Sequence, residues 1–108
     1  MSTSEDVALF IHALSADQIV SASTLAHMTT FVEPPDIDVP QQTGYGLGQR
    51  NLLIDGEGPT GHTGSIPGYS GIVMHKLTEG YTIAVLSNVS VIHQTEVLAE
   101  LQNAVVGK

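Results

Sequence analysis

Two apolar runs, Ile72-Val73-Met74 and Ile83-Ala84-Val85-Leu86, stand on either side of Leu77-Thr78-Glu79-Gly80, and no other feature constrains the fold as much. Runs rich in β-branched residues read as strands, and a short segment closing on glycine reads as the turn between them. The pattern predicts an antiparallel hairpin over 70–77 and 81–88. Two further extended segments are expected upstream, near 44–53 and 59–65, which makes a sheet of about four strands.

Helical spacing flanks that sheet. Val7, Phe10, Ile11 and Leu14 fall at i, i+3, i+4, i+7, the signature of one buried helix face. Ser2 with Glu5, or Thr3 with Asp6, can cap this helix, because a hydroxyl acceptor and a carboxylate three residues on satisfy its free N–H groups. A second short helix is expected from about Ser21, with Leu25, Met28 and Val32 turned inward. Pro34, Pro35 and Pro40 follow it, and proline neither donates an N–H nor tolerates helix in the residue before it. The last periodic segment places Val97, Leu98, Leu101, Ala104 and Val105 on one stripe. The sum is a single α+β domain: helical over 1–32, a surface loop over 33–43, a small antiparallel sheet over 44–88, and a C-terminal helix over 90–106 that covers one sheet face.

Composition excludes several classes of function. With 108 residues, 42% hydrophobic and 13% charged, the chain reads as one folded domain. Its formal charge of −8 sets 11 acids against Arg50, Lys76 and Lys108. A nucleic-acid or anionic-membrane surface needs clustered lysine and arginine, so neither partner is expected. There is no cysteine, hence no disulfide and no thiolate metal site. Met1-Ser2-Thr3-Ser4-Glu5-Asp6 has no basic residue and leads directly into an amphipathic pattern, which is not a secretory signal. A cytoplasmic location is the default expectation.

The chemistry is concentrated in Gly61-His62-Thr63-Gly64-Ser65-Ile66-Pro67-Gly68-Tyr69-Ser70. Thr43-Gly44-Tyr45-Gly46-Leu47-Gly48 precedes it, and Tyr81-Thr82-Ile83-Ala84-Val85-Leu86-Ser87-Asn88 follows. This order resembles the C-terminal part of the serine β-lactamase and penicillin-binding-protein family, in particular its class C β-lactamase, D-Ala-D-Ala carboxypeptidase and esterase branch. The resemblance implies that His62 takes the basic position of the family's third motif, Lys-Thr-Gly or His-Thr-Gly. It gives Thr63 the hydroxyl for a substrate carboxylate and Gly64 the position where bulk would block the ligand. Ser65 would offer its backbone N–H as half of an oxyanion hole. A fixed N–H stabilises charge developing on a carbonyl oxygen better than reorienting water does.

The family's nucleophile motif is missing from this sequence. Ser-x-x-Lys requires serine three residues before a lysine, and Val73 and Val105 occupy those places. Tyr-x-Asn is also missing, since Tyr45, Tyr69 and Tyr81 are followed two positions later by Leu47, Gly71 and Ile83. Neither a cofactor nor a metal is expected: His12, His27, His62, His75 and His93 contain no His-x-x-x-His pair. Gly44-x-Gly46-x-Gly48 lacks the spacing of a phosphate cradle. Ser70 and Ser87 read as strand serines, and the sequon Asn88-Val89-Ser90 sits at a strand end. His62 with Asp55 and His75 with Glu79 are conceivable acid–base pairs, but neither has a serine at a motif position.

Two readings of function follow. One is a catalytically incomplete fragment or truncated paralogue of a serine hydrolase, inactive by itself or serving as half of a split enzyme. The other is a non-enzymatic binding or assembly module on the same scaffold. In the resembling family, the strand equivalent to 81–88 is flanked by strands from the N-terminal segment. None is expected here, so 81–88 should be an open edge without a charged side chain, a configuration that invites pairing with another chain. The expected partner is a second copy, giving an isologous homodimer, or a separately encoded N-terminal half.

Overall fold

The computed structural model describes residues 2–33, 42–54, 58–76, 79–89 and 94–107. Three helices, α1 (Ser4–Ser15), α2 (Ala22–Met28) and α3 (Gln94–Val106), accompany five strands, β1 (Gln42–Tyr45), β2 (Arg50–Leu52), β3 (Thr60–Ile66), β4 (Tyr69–Lys76) and β5 (Tyr81–Ser87). The strands form one antiparallel sheet in the order β1-β2-β3-β4-β5. The α+β class and antiparallel sheet agree with the sequence. The strand count differs, because 44–53 is a hairpin rather than one strand. Gly46 N–H donates to Gln49 O at 2.7 Å, Gly48 turns at a φ of +76°, and Leu47 N–H donates to Met28 O at 3.0 Å.

Capping follows the sequence. Thr3 accepts from Asp6 N–H at the start of α1, and Ser21 accepts from Thr24 N–H at the start of α2. The buried faces differ from expectation. On α1, Ile11 and Leu14 are buried, but Phe10 is 55% exposed. Val32 is exposed and bridges Tyr45 as isolated β structure instead of extending α2. On α3 the buried residues are Thr95, Leu98 and Gln102, while Val97, Leu101 and Val105 face outward. The cause is a hydrogen bond from Gln102 Nε2 to Ile54 O at 3.0 Å, which turns a polar side chain toward the sheet.

Register divides the sheet into two faces. Ile72, Met74 and Ile83 join Leu52, Ile54 and Leu98 in the core beneath α3. Burying each such side chain contributes roughly 1.5–3 kcal/mol. The opposite face of β4 and β5 packs against α1, where His12 meets the His75 ring edge-on at 5.6 Å. Leu77, Thr78 and Pro34 to Pro40 lie outside the described residues, as do Asp55, Ser90 and His93. No described helix is long and apolar enough to cross a membrane.

Candidate functional site

Strand β3 carries the motif and is paired unequally on its two sides. β4 runs beside its whole length, from Thr60↔His75 to Ile66↔Tyr69. β2 matches it only at Thr60 and Gly61. From His62 onward β3 is therefore an edge on its β2 side among the described residues. Ile66 and Tyr69 close a two-residue turn of Pro67 and Gly68, with Gly68 at a φ of +86°. The pair that closes such a turn exchanges ladder bonds, and bonded pairs then alternate along the strands. Gly64 and His62 are thus the next residues bonded to β4. The backbone groups of Ser65 and Thr63 are directed away from β4, toward the side that β2 leaves open.

Side chains alternate correspondingly. His62 is half-buried and Gly64 exposed, both on the α1 face, whereas Thr63 lies opposite Ile72 on the α3 face and is only 8% exposed. Ser65 is exposed. A depression of about 250 Å3 lies against His62, Thr63, Gly64, Val73 and Leu86. A second of about 220 Å3 runs on past Ser65, Ile66 and Tyr69. A Cβ built on Gly64 would meet nothing within 4 Å. Bulk there would enter the depression without disturbing the sheet.

His62 has partners at both ring nitrogens: Nδ1 meets Thr63 O, and Nε2 meets the Tyr45 hydroxyl at 3.1 Å. Nothing local to either residue signals this Tyr45 contact, which depends on the β1-β2-β3 register. Gln94 Nε2 donates to Gly64 O at 2.8 Å, tying the first turn of α3 to the motif. This contact too spans thirty positions and leaves no local trace.

The other candidates are structural. Ser70 Oγ donates to Val89 O at 2.7 Å, and Ser87 Oγ accepts from Val89 N–H. His75 bonds Thr82 Oγ1 at 2.7 Å, while Glu79 stands 3.9 Å from Lys76. His75 and Glu79 therefore take separate partners. Burial, and then the neighbouring His12, hold the His75 pKa below its ordinary value. A pairing of His62 with Asp55 falls outside the described residues. Among the described residues no group of three or more His, Asp or Glu side chains is arranged to hold a metal.

No family model and no curated protein sequence matches the chain. Solved structures do. A D-stereospecific amidohydrolase from Streptomyces sp. superposes with a TM-score of 0.77 at 27% identity, covering 99% of this chain and 31% of its own. D-amino acid amidase from Ochrobactrum anthropi SV3, complexed with L-phenylalanine, gives 0.86 at 20% identity, covering 98% and 32%. Its D-phenylalanine complex gives 0.85 at 20% identity, covering 99% and 33%. The chain spans about a third of the length of these structures. They belong to the penicillin-binding-protein/β-lactamase superfamily, and the likeness supports that superfamily for this chain. The architecture here is that of the C-terminal part of their fold.

Proposed function

We propose that the chain forms the substrate-binding and oxyanion wall of a serine-hydrolase acyl-transfer site, and that the nucleophile comes from residues outside this sequence. The observation that carries the reading is the unequal pairing of β3. Its motif half, His62–Ile66, is the part that β2 leaves open, and Thr63 and Ser65 direct their backbone groups there. In this reading, Ser65 N–H stabilises the developing oxyanion. Thr63 binds a substrate carboxylate through its hydroxyl, Gly64 leaves room for the ligand, and His62 occupies the basic position. Acyl transfer needs an activated nucleophile, and these residues supply none. The names of the neighbouring structures favour amides of D-configured amino acids as the substrate class.

β5 has β4 on one side and no described strand on the other, and 81–88 carries no charged residue. Under this reading the edge receives the polypeptide that completes the site, or a second copy of the chain. Light scattering of the purified 108-residue chain should show a dimer at micromolar concentration, whereas a monomer with slowly exchanging 81–88 amides would remove the edge from the account.

Intact-mass spectrometry tests the missing nucleophile. After incubation with an activated ester, a β-lactam and a fluorophosphonate, the chain should keep its unmodified mass. A stoichiometric adduct on a serine, lost in Ser65→Ala or Ser70→Ala, would place the acyl acceptor here and overturn the reading.

A further inference from the structure

The structure assigns a second binding site to this chain: a cavity at the opposite end of β3 from the motif turn, where Gln49 hydrogen-bonds a small neutral carboxamide with an apolar body. This site does not rest on the reading of the motif.

The cavity holds about 360 Å3, more than either depression beside the motif and within the range of about 300–1,000 Å3 usual for ligand pockets. Leu25, Thr29 and Phe31 line it from α2 and the segment after it, Gln49 from the turn between β1 and β2, and Thr60 and His75 from β3 and β4. Thr60 and His75 are cross-strand partners, at the far end of the β3-β4 ladder from Pro67 and Gly68. Close approaches hold the walls. A Cβ on Gly44 would stand 2.7 Å from Phe31 Cβ, and one on Gly46 would stand 2.0 Å from Met28 O. Leu47 N–H donates to the same Met28 oxygen, so the turn bearing Gln49 is clamped to the end of α2.

Gln49 is the residue that asks for a ligand. It is 3% exposed, and its Nε2 has no hydrogen-bond partner among the described residues. Burying an amide N–H without an acceptor is costly, and leucine in its place would avoid that cost. Neighbouring polar groups are engaged elsewhere. Thr29 Oγ1 donates to Leu25 O at 2.9 Å, and His75 Nδ1 lies 2.7 Å from Thr82 Oγ1. A buried water needs about three partners, and one water would satisfy the amide without filling the space.

The lining is mainly apolar, which suits an apolar body. A carboxamide offers a carbonyl to Nε2–H and an N–H to an amide oxygen, so it pairs with whichever end of the Gln49 amide it meets. A carboxylate fits less well. Burial, and then His12, lower the His75 pKa and leave that ring neutral at pH 7.5, while the Lys76 ammonium already faces Glu79 at 3.9 Å. An anion would be desolvated there without a cation of its own.

Titration of the 15N-labelled 108-residue chain with benzamide, benzoate and toluene at pH 7.5, followed by NMR, tests the site. Benzamide should give saturable shifts at Leu25, Thr29, Phe31, Gln49, Thr60 and His75, and should move the Gln49 side-chain amide protons downfield. Gln49→Leu should weaken benzamide roughly three- to tenfold and leave toluene unchanged or tighter. Benzoate should bind more weakly than benzamide. Absence of saturable shifts at these residues overturns the site and leaves the cavity to water. Shifts confined to 62–66 also overturn it, and they would instead favour the proposed function. Equal changes for benzamide and toluene in Gln49→Leu overturn the role of Gln49, and benzoate binding as tightly as benzamide overturns the ligand class. If Gln49→Leu does not fold, the wild-type side-chain amide signals decide: protons that stay in place at saturating benzamide remove Gln49 from the site.

Discussion

At Gly61 an added methyl carbon would stand 1.8 Å from the Val73 carbonyl oxygen, whereas at Gly64, on the same strand, it would meet nothing within 4 Å. The two glycines mark two regions of β3. Around Gly61 the strand is paired on both sides, and the backbones of β3 and β4 approach so closely that only hydrogen fits. Around Gly64 it is paired on one side among the described residues and borders a depression. The same residue type is required by packing in the first region, and in the second it preserves open space. Packing and the proposed site thus draw on different residues of one strand.

Gly61→Ala should break the closed region outright. The clash is with backbone, so β3 and β4 must part, at a cost of about 3 kcal/mol or more. Urea unfolding measures this, and a loss below about 1 kcal/mol would mean that the strands are not held so closely.

Helix α3 offers a similar contrast between neighbours. Leu98 is fully buried and Leu101 is 40% exposed. Leu98→Ala should cost roughly 2–5 kcal/mol, and Leu101→Ala should stay within about 0.5 kcal/mol. Equal losses would show that α3 docks through its Val97-Leu101-Val105 stripe after all.

The closed region also carries a pH dependence. His75 pairs across from Thr60 and is buried, with a folded-state pKa below its ordinary value of 6.5. The unfolded chain therefore binds the proton more readily, and stability falls as pH drops below about 6.5. Above that value His75 is neutral in both states and contributes no slope. The thermal midpoint of the wild type should decline between about pH 7.5 and 5.5, with a shallower decline in His75→Phe. Identical slopes would remove His75 as a cause.

Gly64→Val should have the smallest effect on the fold. Its side chain enters open space and valine suits a strand, so stability should change by about 0.5 kcal/mol or less while ligand access is lost. A large destabilisation would erase the difference between the two regions of β3.

The hairpin of β4 and β5 was legible in the sequence because both runs are apolar and β-branched and glycine closes the turn between them. The split of 44–53 was not, since Gly44, Gly46 and Gly48 have no side chains to report a face. The break depends on Met28 O from another element. The face of α3 differs from its apolar stripe because Gln102 finds its acceptor at Ile54, a partner that helical periodicity cannot reveal. At the site, the His62-Thr63-Gly64-Ser65 segment was visible as a motif. Its neighbour Tyr45 was not, because strand register brings it to His62 from seventeen positions away.

Amide chemical-shift mapping with N-acetyl-D-alanine most directly tests the claim that the motif half of β3 is a ligand-facing edge. The account predicts saturable shifts concentrated at residues 62–66 in the wild type and their loss in a folded Gly64→Val. Shifts centred on another part of the sheet, or shifts at 62–66 that persist unchanged in Gly64→Val, would contradict it.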